Sequence, residues 1–229
     1  MRSEELHWER NLGVTMRLLS LNVSMPRTVG GSNGPVTTGI FKTPVSGRIT
    51  LRRHNLDGDG QADLRYHGGE HKAVYAYPYE HYAYWRERLN RDDFTFGQFG
   101  ENLTTEGMLE TEVHIGDVFR IGTASIQATQ PRQPCFKLGI RMGRPEIVKE
   151  FLESERSGIY FRVVKEGELA AGDPIELIKP DPERVSVHFV NHLRFFDKGN
   201  REGIERTLRV QALSPSWRED FEGMLRIVR

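Results

Sequence analysis

Cys135 is the one cysteine in 229 residues, and it stands in Gln130-Pro131-Arg132-Gln133-Pro134-Cys135-Phe136-Lys137-Leu138. A lone cysteine is usually a small buried hydrophobe. Here two prolines stiffen the approach, Arg132 and Lys137 bracket the thiol, and Arg141 and Arg144 follow. Cationic neighbours favour the thiolate, the form that attacks electrophiles or ligates a soft metal. A second stretch, His67-Gly68-Gly69-Glu70-His71, sets two imidazoles four residues apart. On a helix they would converge on a metal, but paired glycines disfavour a helix. They suit a tight turn, or a backbone that offers N–H groups to an anion. Were Cys135 the nucleophile of a hydrolase, it would need a histidine partner, and His67 and His71 are the candidates.

Two further stretches carry polar groups with ordinary explanations. Asn55-Leu56-Asp57-Gly58-Asp59-Gly60-Gln61-Ala62-Asp63 has the oxygen spacing of a calcium loop, but position 12 is Tyr66 where a bidentate Glu is required. The flanks read as strand where helices are needed, so the stretch is taken as a turn. Gly100-Glu101-Asn102-Leu103-Thr104-Thr105 reads as a turn at a strand end.

The elements that must position these residues are mostly short strands. Val14–Val23 alternates with a slip near Leu19, and Thr38–Lys42, Arg48–Arg53, Ala73–Tyr77, Val113–Ile115, Val118–Ile121, Ala124–Thr129, Tyr160–Val164 and Pro174–Ile178 follow. Pro26 to Pro35 reads as loop. Helices are expected at Tyr79–Leu89, with Tyr82, Trp85 and Leu89 on one face, and at Pro145–Glu155. This pattern predicts a mainly β protein, a barrel with interrupting helices. At Pro180-Asp181-Pro182 the period shifts from two to 3.6, and three helices are expected: one capped by Ser186, one over Arg201–Ala212, and one capped by Ser214-Pro215. The expected organisation is an extension over 1–15, a barrel over 16–180 and a three-helix domain over 183–229.

Composition narrows the function. Lys+Arg 32 balances Asp+Glu 32, which argues against general binding of a nucleic-acid polymer. A single cysteine excludes an intramolecular disulfide and multi-cysteine metal sites. No apolar run approaches the ~20 residues of a spanning helix, and the polar opening MRSEELHWERNLG lacks the apolar core of a secretory signal. No membrane association and a cytoplasmic location are expected.

Taken in order, Thr38-Gly39-Ile40-Phe41-Lys42, Gly58-Asp59 through His67-Gly68-Gly69, Ala73-Val74-Tyr75, Gly100-Glu101-Asn102-Leu103, Gly116-Asp117 and Gln130 to Leu138 resemble the MOSC domain, named for the C-terminal part of molybdenum-cofactor sulfurases. The tail Val185–Arg229 resembles the "3-alpha" domain of stand-alone YiiM-type proteins. The resemblance implies a β-barrel that holds the molybdenum cofactor (Mo-molybdopterin), with Cys135 supplying a thiolate to molybdenum. It implies that Lys42, Arg132, Lys137, Gly68 and Gly69 serve the cofactor phosphate, that Asn102 lies beside the cofactor, and that His67 donates a hydrogen bond to an oxo group or to substrate. The implied activity is reduction of N-hydroxylated compounds, including hydroxylaminopurine-type bases, to amines. With no flavin or haem signature in the chain, electrons come from a separate reductase protein. The alternative is a molybdenum-cofactor or sulfur carrier that uses Cys135 as its anchor. A homodimer is left open.

Overall fold

The computed structural model describes residues 16–31, 34–63 and 68–228. Its strands are β1 (Arg17–Val23), β2 (Arg27–Gly31), β3 (Gly34–Thr38), β4 (Thr43–Val45), β5 (Ile49–Leu51), β6 (Val74–Pro78), β7 (Leu103–Glu106), β8 (Val118–Ile121), β9 (Ala124–Pro131), β10 (Ile159–Lys165), β11 (Gly167–Leu169) and β12 (Ile175–Lys179). The helices are α1 (Glu80–Leu89), α2 (Phe136–Met142), α3 (Ile147–Glu153), α4 (Val187–Phe195), α5 (Arg201–Arg209) and α6 (Pro215–Ile227). A 3₁₀ turn, Glu70–Lys72, precedes β6. Among the described residues no helix is long and apolar enough to cross a membrane.

Eight strands form one sheet in the order β12-β8-β9-β10-β6-β7-β1-β4, antiparallel except for the β6–β7 pair. The slip near Leu19 is a real irregularity, since the β1–β7 register shifts between Leu18 and Ser20. An extra residue at that point returns the following side chains to the buried face.

The expected closed barrel is not what the ladder forms, because the sheet ends at β12 and β4. A strand has only two edges. On β1, β7 takes one. The other is divided: β4 pairs at Leu21–Val23, and the segment before β12 bonds at Met16 and Leu18, through Leu18 N to the Asp173 carbonyl (3.0 Å) and Ile175 N to the Met16 carbonyl (2.9 Å). That second stretch is a single bridge, Arg17 to Pro174, too short to continue the ladder.

Two other expectations shift. Pro26 to Pro35, read as loop, contributes most of the β2–β3 hairpin, in which Val29 faces Val36. Thr38–Lys42, read as strand, leaves extended pairing after Thr38 and runs as an irregular segment to β4. Val113–Ile115 makes only an isolated bridge, between His114 and Ser186.

Two apolar clusters fill the interior. The smaller gathers Tyr75, Tyr77, Tyr82, Trp85, Phe99, Leu138 and Phe151, where α1, α2 and α3 cover one end of the sheet. Trp85 stacks on Phe151 at 5.6 Å, and its indole N–H donates to the Tyr77 hydroxyl at 2.7 Å, so the buried polar tips are satisfied. The larger cluster runs without a break from strand residues such as Leu18, Ile126 and Phe161 into Val190, Leu193, Ile204, Trp217 and Phe221 of the last three helices. Of the expected caps, Ser186 acts through its side chain, while Ser214 stands at the N-cap of α6 without a side-chain cap bond. Ser186 accepts from Phe189 N at 3.1 Å, Asn200 accepts from Gly203 N at 2.8 Å, and Pro215 opens α6.

Candidate active site

A cleft gathers residues from six separated parts of the chain. One wall is the irregular segment after β3. Gly39 has to be glycine there, since a Cβ would lie 2.5 Å from the Gly60 carbonyl oxygen. That close approach brings Lys42 against the loop that precedes the 3₁₀ turn. The Lys42 ammonium meets the Asp59 carboxylate at 2.5 Å, with both side chains almost fully buried. Asp59 also accepts from Ser24 N at 2.8 Å and from Asn102 Nδ2 at 2.9 Å.

Asn102 is fixed in its turn. Its backbone N–H donates to the Tyr75 carbonyl (2.8 Å), its own carbonyl accepts from Asn22 N (2.7 Å), and its side-chain oxygen accepts from Tyr75 N (3.2 Å). Asn102 thereby joins β1 to β6 and presents its amide to Asp59. The preceding Glu101 is wholly buried and anchors the turn, accepting from Gly97 N and Phe99 N at 2.9 Å and from the Tyr82 hydroxyl. Burial raises its pKa above the usual carboxylate range.

A further part of the lining is the end of β9 and the start of α2. Arg132 lies over the Tyr75 ring at 4.9 Å and the Phe151 ring at 5.3 Å, an arrangement that favours a delocalised cation. It is 5% exposed, yet its Nη1 finds no acceptor among the described residues. A buried guanidinium nitrogen without an acceptor is costly, and an anion in the cleft would supply one. Cys135 is half-buried in extended conformation at the N-cap of α2, and Lys137 follows in the first turn. Tyr160 reaches in from β10, its ring 5.2 Å from that of Tyr75.

Among the described residues four cations line the cleft, Lys42, Lys72, Arg132 and Lys137, against one carboxylate, Asp59. Burial pulls Lys42 below the ordinary lysine value, with Asp59 opposing that pull. Burial alone lowers Lys72. Burial raises both tyrosines, Tyr75 far above the usual phenol range, although Arg132 opposes it.

The structure therefore brings together Lys42, Asn102, Arg132, Cys135 and Lys137. Gly68 and Gly69 do not line the cleft. Gly69 is exposed at a φ of 90°, a glycine conformation, and turns the chain into the 3₁₀ segment that carries Lys72. His67 lies outside the described residues. His71 is not a lining residue. Asp59, Lys72, Tyr75 and Tyr160 were missed. Asp59 sat in a stretch whose Asx and glycine content is fully explained by turn formation, and no local signal marked it as a buried anion.

The MOSC domain model matches residues 63–176, and the model for the YiiM-like 3-alpha helix domain matches 185–227. The protein YflK of Bacillus subtilis is 45% identical over 89% of this chain and 92% of its own. The chain belongs to the YiiM-type MOSC proteins. A solved structure of YiiM from Geobacillus stearothermophilus superposes with a TM-score of 0.78 at 37% identity, over 92% of this chain and 99% of that one. A protein of Gibberella moniliformis named "Reductase" is 34% identical over 67% of this chain, which spans 28% of that longer protein. Lys42 and Asp59 lie before the matched MOSC segment, while Asn102, Arg132, Cys135 and Lys137 lie within it.

Proposed function

We propose that this MOSC protein is a molybdenum-cofactor-dependent oxidoreductase that reduces N-hydroxylated compounds, hydroxylaminopurine-type bases among them, to amines, with electrons from a separate reductase protein. Family membership and the reductase name of the fungal relative support an oxidoreductase. The observation that carries the reading is the unpartnered Nη1 of buried Arg132 in a cation-lined cleft that Cys135 also lines. That donor set fits an anionic group bearing a soft metal.

When bound, the cofactor supplies the two-electron couple and the metal; the protein supplies binding, orientation and electrostatics. Cys135 offers the thiolate ligand. Arg132 and Lys137 hold the phosphate, and Lys72 adds charge on the same side of the balance. Lys42 is already neutralised by Asp59, which makes it a poor phosphate anchor. Tyr75 and Tyr160 wall the interior end and keep water from it, and Asn102 holds Asp59 in place.

Protein prepared in a host that makes the cofactor should contain molybdenum and pterin in equal amounts. With reduced viologen as donor it should convert an N-hydroxylated base to the amine. Bound cofactor without turnover, but with transfer of that cofactor to a second apoenzyme, would make the chain a carrier.

A further inference from the structure

We propose that Lys42, held by Asp59, is the proton donor for N–O cleavage in this cleft, an inference that rests on the N-hydroxyl reductase reading. Net reduction, R–NH–OH + 2 e⁻ + 2 H⁺ → R–NH₂ + H₂O, breaks one N–O bond. The oxygen must leave as water. Two electrons come from the reductase protein, and one proton must be ready at the oxygen as the bond breaks. The second proton reaches the nitrogen from solvent, and water at the cleft mouth recharges the amine of Lys42.

Lys42 suits the task on three grounds. It is buried and lines the cleft, and among the described residues its ammonium has one acceptor, Asp59, leaving N–H groups for a substrate oxygen. Asp59 is itself fixed by Ser24 N and Asn102, so the ammonium is aimed by a rigid anchor. Burial lowers the lysine toward the operating pH, where general acids work best.

The other charged and titratable groups around it are less suitable. Glu101, which acts on Lys42 from the neighbouring turn, is enclosed by its own donors. Arg132 does not release a proton at working pH. Tyr75 and Tyr160 are raised by burial, and Cys135 is committed to the metal. Lys137 stands on α2, two residues from Cys135, and Lys72 on the 3₁₀ turn.

The test compares cofactor-loaded wild type with Lys42→Arg, Lys42→Met, Asp59→Asn and Lys72→Gln, using reduced viologen and an N-hydroxylated base. Cofactor content, melting temperature and a ¹⁵N titration of the Lys42 ammonium are recorded for each relevant protein. General acid catalysis contributes at least about a hundredfold, so Lys42→Arg and Lys42→Met should lose that much kcat with KM little changed. The alkaline limb of the kcat profile should vanish from their residual activity. Asp59→Asn removes the charge that opposes desolvation, so both the alkaline limb and the ¹⁵N titration should move to lower pH together. A Lys42→Met protein that retains cofactor, kcat and the wild-type alkaline limb overturns the inference, as does a limb that disappears in Lys72→Gln instead. Cofactor-loaded wild type that reduces no N-hydroxylated base overturns the reductase reading itself, and this inference with it.

Discussion

Lys42, Asp59 and Asn102 in the cleft are nearly as sealed from solvent as Val190, Ile204 and Phe221 in the C-terminal helices. The first three are buried at a cost that only mutual pairing offsets: ammonium to carboxylate, amide to carboxylate, and amide to the strand backbone. The second three gain by leaving water, about 1.5–3 kcal/mol for each fully buried side chain. Both regions rest on the same sheet. The helices stabilise it, and the cleft uses that stability to hold charges where an anionic ligand can meet them.

If the division holds, substitutions should separate cleanly into those that cost activity and those that cost stability. Cys135→Ser should give the largest effect, with turnover falling to background because the harder oxygen is a poor ligand for a soft metal. The melting temperature should hardly move, because Cys135 is half-buried at an N-cap, where serine is favoured. Full turnover in the cofactor-loaded serine variant would remove Cys135 from the site. Trp217→Ala should do the reverse. It removes a fully packed ring beside Phe195 and Phe221, and should cost about 3–5 kcal/mol in denaturant unfolding while turnover per folded molecule stays at the wild-type level.

Arg132→Gln tests the anion directly. Loss of a charge-assisted hydrogen bond of about 1.5–3 kcal/mol should weaken inorganic phosphate binding to the full chain at least tenfold, as measured by calorimetry. Lys42 contributes a pH signature. Its folded pKa is lowered, so between that value and the ordinary 10.5 the unfolded chain holds more protons, and stability rises with pH through this window. Lys42→Met should flatten that rise by up to about 1.36 kcal/mol per pH unit. An unchanged slope would mean that the ammonium is not buried as described. The smallest effect belongs to Ser186→Ala. It removes the cap on Phe189 N and should cost about 1 kcal/mol, with turnover unaltered.

The helical tail was legible because its information is local. Apolar residues at i, i+3 and i+4, together with the Ser186 cap and Pro215 at the first helical position, specify helices whichever surface they later cover. The slip near Leu19 was legible for the same reason, since a break in alternation marks the bulge between Leu18 and Ser20. The Cys135 stretch announced itself through its charged flanks. Gly68-Gly69 read equally well as an anion cradle or a turn, and in the fold Gly69 turns the chain into the 3₁₀ segment that carries Lys72. The hairpin over 27–38 was hidden because its Gly, Ser, Asn and Pro content matches that of a loop, while its cross-strand pairing depends on a register that local composition does not report.

By itself the sequence determined the mainly β body, the three-helix tail and the environment of the one thiol, because each follows from periodicity, capping or immediate neighbours along the chain. Tertiary structure alone decided that the sheet stays open, since closure depends on how the second edge of β1 is shared between two distant segments. It alone also decided that Asp59 neutralises Lys42 across 17 residues and is held by Asn102 across 43. A buried charge is tolerated only beside its partner, and that partner is chosen by the packing of strands and loops in space, which no local run of residue types encodes.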